Sequence, residues 1–218
     1  MMHNLWVAWG ATGLVALLDW FAVAIGNRGI ERWAKPAVMV GLLVVAWLGG
    51  AAGHLAAKWL LVALLLGMIG DIFLLGSSTK RFQAGLASFL LGHLAYVICF
   101  VILGSAPAGA RLVFGAGVIG ACLLVSRRVL PNVHATSGWG LSLPVALYMA
   151  VIAAMVIAAW GTGSMLIGLG ASVFVISDTV LSLDRFVTPV GHGRLIVMIT
   201  YHVGQALIVA GVLERMLG

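Results

Sequence analysis

The chain is poor in charge. Of its 218 residues, 8% are Asp, Glu, Lys or Arg, where soluble domains carry about 25%. That scarcity excludes an ordinary soluble enzyme. It is also poor in cysteine: Cys99 and Cys122 are the only two, and both fall inside apolar runs, so neither a disulfide framework nor a thiolate metal site is indicated. Acid is scarcer than base, with six Asp and Glu against twelve Lys and Arg. The resulting formal charge of +6 does not point to nucleic acid. The basic residues stand singly or in pairs between apolar runs, where they orient a membrane protein. What remains is 63% hydrophobic, with a mean hydropathy of +1.17, more apolar surface than a soluble fold can hide.

A membrane span needs roughly 20 mainly apolar residues. On that rule the sequence predicts an all-α, polytopic bundle of about eight helices, near 5–25, 36–53, 57–76, 83–103, 109–126, 141–160, 164–183 and 194–214. The connections are short, so residues 1–218 are expected to form a single integral-membrane domain. Met1-Met2-His3-Asn4 lacks the basic start of a signal peptide, which favours a retained first helix. Arg28, Arg32, Lys35, Lys80, Arg81, Arg127, Arg128, Arg185 and Arg194 fall on one side, and Lys58, Arg111 and Arg215 on the other. The richer side is read as cytoplasmic, leaving both termini outside. On these boundaries Asp19, Asp71 and Asp178 all lie about 8–9 Å below the inner boundary, at 1.5 Å per residue.

Within this apolar background two stretches echo each other. Asp71, Arg81-Phe82, His93 and Tyr96 follow one another in helices 3 and 4. Asp178, Arg185-Phe186, Tyr201, His202 and Gln205 do so in helices 7 and 8. The pattern predicts a parallel 4+4 pseudo-repeat with a site between its halves. A carboxylate at membrane depth costs roughly 2.5–3.5 kcal/mol and normally faces the bundle interior beside a partner. Low dielectric disfavours the ionised form of such a group, and a neutral carboxyl is what a general acid near neutral pH requires. Two acids at one depth can divide acid and base roles.

His93 and Tyr96, three apart, share a helix face, with Gly85, Ser88 and Gly92 on the neighbouring stripe to admit a close helix. Tyr201, His202 and Gln205 fall within an arc of about 100°. Either set orients an acid and a water molecule, or simply bonds across helices. Lys35-Pro36 reads as the opening of helix 2, placing Lys35 at the inner interface to meet a phosphate or a lipid headgroup. Tyr148 and Met155, seven apart, read chiefly as packing. Asp19 is either a third site acid or a partner for Lys35 or Arg28. Glu31 and Asp184 read as solvated ion pairs beside arginines. No metal-ligand spacing occurs, and haem between His93 and His202 has only residue type and location behind it.

Gly70-Asp71 followed by Phe82, Gly85, Phe89, His93, Tyr96 and Phe100 resembles the first signature of the YhhN family of lysoplasmalogenase-type membrane proteins. Ser177-Asp178, Arg185-Phe186, Pro189, Arg194, Met198, Tyr201 and Gln205 resemble the second. Lys35 and the Tyr148/Met155 pair also fit. The resemblance spans about residues 35–210; helix 1 lies outside it, and His202 stands where relatives can carry an aromatic residue. It implies an eight-helix enzyme that hydrolyses the vinyl ether of lysoplasmalogens to a fatty aldehyde and a glycerophospho-base, with Asp71 and Asp178 as essential acids. It implies no cofactor, metal or nucleic acid, and a lysophospholipid substrate drawn from membrane lipid. The expected location is a bacterial inner (cytoplasmic) membrane, with the site in its cytoplasmic half.

A vinyl ether hydrolyses by protonation of its β-carbon and addition of water to the resulting oxocarbenium ion. Asp178 is assigned as acid and Asp71 as base, by analogy with two-carboxylate glycosidases. His93, Tyr96, Tyr201 and Gln205, with Ser177 and Tyr148, are the supporting residues. Lys35, Arg81 and Arg194 are the candidates for the substrate phosphate. The alternatives are a proton-coupled transporter, which also uses intramembrane acids and repeats, and a lipid-binding membrane protein.

Overall fold

A computed structural model describes residues 2–104 and 111–217. The predicted start of helix 5 at 109 lies outside the described residues, as does the side chain of Arg111. The described residues form eight α-helices: α1 (Met2–Ala24), α2 (Arg28–Leu48), α3 (Leu55–Leu74), α4 (Thr79–Leu103), α5 (Arg111–Ser137), α6 (Trp139–Gly161), α7 (Met165–Phe186) and α8 (Gly193–Leu217). A single 3₁₀ turn at Ala51–Gly53 precedes α3. Seven helices, all but α2, are long and apolar enough to cross a membrane. The protein is therefore an integral-membrane helix bundle. Trp6, Leu14, Phe21, Leu123 and Leu143 are among the large side chains left on its outside, the surface that lipid would cover.

Two boundaries differ most from the sequence reading, each for a local reason. Helix 2 does not open at Pro36. Asn27 caps it, its Oδ1 accepting from the Gly29 and Ile30 N–H groups at 3.1 and 3.2 Å, as N-cap side chains do. Pro36 thus sits inside the helix. The carbonyl it deprives of a donor belongs to Arg32, on an exposed turn. Lys35 is carried two turns into the bundle rather than left at the interface. The four charged residues ahead of Pro36 are also why α2 is not among the seven apolar spans.

Helix 5 likewise does not stop before Arg127. It runs through Pro131 to Ser137, and Arg127 and Arg128 lie within it. Val129 and Val133 pack with Leu141 and Val145 of α6 in a separate apolar cluster, and this packing outweighs the bond lost at the proline. The connection to α6 shrinks to Gly138, whose φ of +61° is open to glycine.

The tightest pairings are α3 with α4 and α7 with α8, the two halves of the sequence echo. Close approach is set by small residues. A Cβ on Gly170 would lie 2.8 Å from the Gly204 carbonyl oxygen, and one on Gly92 3.4 Å from that of Ala63. Ser88 adds a hydrogen bond of 2.6 Å to the Leu66 carbonyl. The halves meet where Arg185 lies 4.9 Å over the Phe82 ring and Phe186 packs edge-on to it. The main core, including Trp160, Phe100, Phe174, Leu60 and Ile208, fills the centre.

Candidate active site

Two carboxylates face one cavity of about 120 Å³, open to the charged end of the bundle. Asp71 enters it from α3, three residues before that helix ends, and Asp178 from α7, eight residues before the end. Asp71 is 1% exposed and its Oδ1 meets Lys35 Nζ at 3.0 Å, with the lysine side chain 6% exposed. Removing either charge alone would strand the other in low dielectric. The α2 register explains the pair, because Lys35 reaches this depth only when the helix starts at Asn27.

The partners of Asp178 are different in kind. Its Oδ2 accepts from the Tyr148 hydroxyl at 3.0 Å and lies 3.7 Å from His93 Nε2. His93 Nδ1 is 2.6 Å from the Phe89 carbonyl oxygen. A carbonyl only accepts, so Nδ1 carries a proton and the Nε2 edge of the ring faces Asp178. Phe174 and Tyr148 close on the imidazole edge-to-face, with centroids 4.8 and 5.3 Å away. His93 of the first half is thereby set against Asp178 of the second.

Tyr201 lines the same cavity, with its hydroxyl 3.3 Å from Met39 Sδ. Tyr96 and Gln205 hydrogen-bond to each other one layer deeper, the tyrosine hydroxyl donating to Oε1. They brace α4 against α8 and do not line the cavity. Ser177 lines it but donates to the Val197 carbonyl at 3.1 Å, tying α7 to α8.

A second cavity, of about 60 Å³, shares Leu74, Phe89, Asp178 and Leu181 with the first. Its remaining lining is largely apolar, with Leu86, Val125, Val145 and Ile152 among it. Asp178 therefore stands at the junction of a charged chamber and an apolar one.

The predicted phosphate residues separate. Arg194 lines the charged chamber. Lys35 is there too, but committed to Asp71. Arg81 is not brought to it. The Arg81 guanidinium donates to the Ile72 and Phe73 carbonyls at 3.1 and 3.3 Å, capping the end of α3. Two acids also differ from expectation. Glu31 is not solvated: its side chain is 7% exposed and bonded by Arg194 at 2.6 and 2.7 Å, with Arg28 at 3.4 Å. Asp184 uses Oδ1 to accept from the Val190 N–H at 2.8 Å. Both acids and Arg28 line the chamber mouth. Sequence reading missed Arg28 and Glu31; the four-residue step from Glu31 to Lys35 was the available signal.

Asp19 lies apart. It is fully buried, 4.0 Å from His202 Nδ1, which accepts from Trp20 Nε1 at 3.1 Å. His202 faces a third cavity between α1, α2 and α8, and so is not set opposite His93 as a haem pair would be.

A helical membrane bundle with two carboxylates on a charged chamber, one of them at its junction with an apolar chamber, defines a class: intramembrane proteins whose site suits an amphipathic molecule. Residues 30–212 match the YhhN family, and the chain belongs to that family. Lysoplasmalogenase TMEM86A of Bos taurus is 30% identical over 182 residues, which cover 79% of this chain and 72% of the relative. Lysoplasmalogenase TMEM86B of Homo sapiens is 33% identical over 153 residues, 70% of this chain and 62% of the relative. A lysoplasmalogenase of Mycobacterium tuberculosis is 30% identical over 185 residues, 82% and 69% respectively. No solved structure matches the chain at a significant level.

Proposed function

We propose that this protein is a membrane-embedded ether hydrolase that cleaves the vinyl ether of lysoplasmalogens, releasing a fatty aldehyde and a glycerophospho-base. The observation that carries this reading is the position of Asp178 at the chamber junction. With the alkenyl chain in the apolar chamber and the headgroup in the charged one, the vinyl ether between them lies beside that carboxyl group. The names of the relatives support the same substrate.

The partners divide the two acids. Asp71, held by the Lys35 cation, is the ionised base. Asp178, whose close partners are the Tyr148 hydroxyl and the His93 ring, is the acid. Its proton passes to the β-carbon as the double bond opens, leaving an oxocarbenium ion stabilised by the resulting carboxylate. A water molecule adds to the adjacent carbon and gives a proton to Asp71. The hemiacetal then collapses: Asp71 returns that proton to the departing glycerol oxygen, and the hemiacetal hydroxyl proton goes to Asp178. One water is consumed and both acids are restored. Tyr148 and His93 orient Asp178, and Arg194 with Arg28 receives the phosphate. The basic residues gathered at this end of the bundle support a site on the cytoplasmic side, with both termini outside.

The test uses Asp71→Asn and Asp178→Asn in purified protein. Each is expected to keep its helicity and lose aldehyde release by at least about 10²-fold, the usual range for acid–base groups. Near-wild-type turnover by either variant would remove that residue from the mechanism. A proton-driven flux in vesicles without product release would replace the enzyme by a carrier.

A further inference from the structure

The third cavity has no part in the chemistry above, and at about 290 Å³ it is larger than either chamber. One face of α1 makes its long wall. Trp9, Thr12, Gly13, Ala16, Leu17 and Trp20 line it at helical steps of three and four. Eleven residues at 1.5 Å each make that wall about 16 Å long. Val38 and Leu42 of α2 complete the lining with His202, Val203 and Ala206 of α8. The cavity is therefore a groove with the shape of a chain rather than a round hollow. Leu17 is 57% exposed and Gly13 is exposed as well, so the groove opens on the surface that lipid would cover.

One unspent polar group stands at the Trp20 end. Trp20 Nε1 donates to His202 Nδ1 at 3.1 Å. An indole N–H only donates, so Nδ1 carries no proton and the ring proton is on Nε2. His202 is buried, and its Nε2 has no hydrogen-bond partner among the described residues. A buried donor without an acceptor is costly, and an oxygen entering the groove beside His202 would satisfy it. The hydroxyl of Thr12, by contrast, is spent on the Ala8 carbonyl at 2.7 Å. No Lys, Arg, Asp or Glu lines the groove, so a phosphate or carboxylate would enter without a counter-charge. The carboxyl group of Asp19, 4.0 Å from Nδ1, supplies none.

We propose that this groove is a second lipid site, and that it takes a long-chain aldehyde with its oxygen on His202 Nε2 and its chain along α1 toward Trp9. An aldehyde oxygen accepts and does not donate, which matches a lone buried donor. An alcohol would bring a donor of its own, and a fatty acid a charge. The aldehyde is also the product of the proposed hydrolysis, released into the same membrane. Its supply rests on that reading; the chemistry of the groove does not.

The experiment is photolabelling of the full-length protein in detergent. The probe is a long-chain methyl ketone with a diazirine in mid-chain, an unreactive stand-in for the aldehyde, and mass spectrometry locates the labelled residues. The wild type is expected to be labelled on α1 between Trp9 and Trp20 and on α8 at Val203 or Ala206. Hexadecanal should displace the probe about fivefold better than hexadecanol, whose own donor is left unpaired. It should do so about tenfold better than palmitate, whose charge is left uncompensated. His202→Phe keeps a ring and removes the donor, and should weaken labelling about fivefold. A Cβ on Gly13 meets nothing within 4 Å, so Gly13→Leu should fill the groove without moving backbone and abolish the labelling. A groove left unlabelled in the wild type overturns the proposal whether or not the variants fold. Undiminished labelling of either variant, when folded, also overturns it, as does displacement by hexadecanol or palmitate as readily as by hexadecanal. Labelling as expected in a protein that releases no aldehyde from a lysoplasmalogen leaves the groove's ligand standing and removes the hydrolase reading instead.

Discussion

Replacing Lys35 by Met tests the partition of the two acids more sharply than deleting either of them. The substitution keeps the length of the aliphatic stem and removes the ammonium that lies 3.0 Å from Asp71 Oδ1. Asp71 is 1% exposed, so the stranded carboxylate keeps only the neighbouring neutral Tyr201 hydroxyl and no cation. Breaking a buried pair from one side costs about 3–5 kcal/mol. For a chain of this length that is a fall in Tm of roughly 6–20 °C. Adding Asp71→Asn to Lys35→Met removes the stranded charge, and most of the loss should return. Aldehyde release should fail in both variants, because the first no longer holds Asp71 ionised and the second lacks the carboxylate. The assay is thermal unfolding in detergent beside aldehyde release on the same preparations. Two results would refute the reasoning. One is a single variant that melts with the wild type; the other is a double variant no more stable than Lys35→Met.

Three further outcomes follow from the same contacts. Tyr148→Phe removes the hydroxyl that donates to Asp178 at 3.0 Å and should lower kcat about tenfold, or about 1.4 kcal/mol, with KM unchanged; an unaltered kcat makes that tyrosine a packing residue only. Gly170→Ala sets a methyl 2.8 Å from the Gly204 carbonyl and the Ile208 nitrogen, both backbone, so it should destabilise by about 1–3 kcal/mol. Gly10→Ala in open space should be neutral or stabilising by about 0.5–1 kcal/mol, and equal melting of the two would contradict the close α7–α8 contact. Arg194→Ala should raise KM about tenfold, as loss of a charged phosphate contact does, whereas Arg81→Ala should leave KM alone and only loosen the end of α3. A matching rise in KM for Arg81→Ala would return it to the site.

The acids were legible in the sequence because an apolar helix leaves a carboxylate no innocent place. Asp71 and Asp178 announce an interior partner by their setting alone, and the structure gives each one. His93 and Tyr96 were legible as one helix face, but spacing does not say what that face meets. His93 reaches Asp178, whereas Tyr96 spends its hydroxyl on Gln205. Pro36 as a helix start puts Lys35 at the interface, but Asn27 overrides that rule by capping the helix two turns earlier. That one register decision also hid Glu31, which became a solvated residue when its helix was removed. Arg81 shows the converse. Its position after a turn fitted an interfacial phosphate ligand, but the free carbonyls at the end of α3 were nearer, and sequence spacing carries no distances across a turn.

The central claim is that protonation of the vinyl ether directs water to the alkenyl carbon, so that the glycerol oxygen leaves with the headgroup. Hydrolysis of a lysoplasmalogen by the purified protein in ¹⁸O-enriched water, read by mass spectrometry of the released glycerophospho-base, tests it directly. The account predicts a fatty aldehyde together with a glycerophospho-base that contains no ¹⁸O. A glycerophospho-base carrying ¹⁸O, from attack on the glycerol carbon and release of an enol, would contradict it.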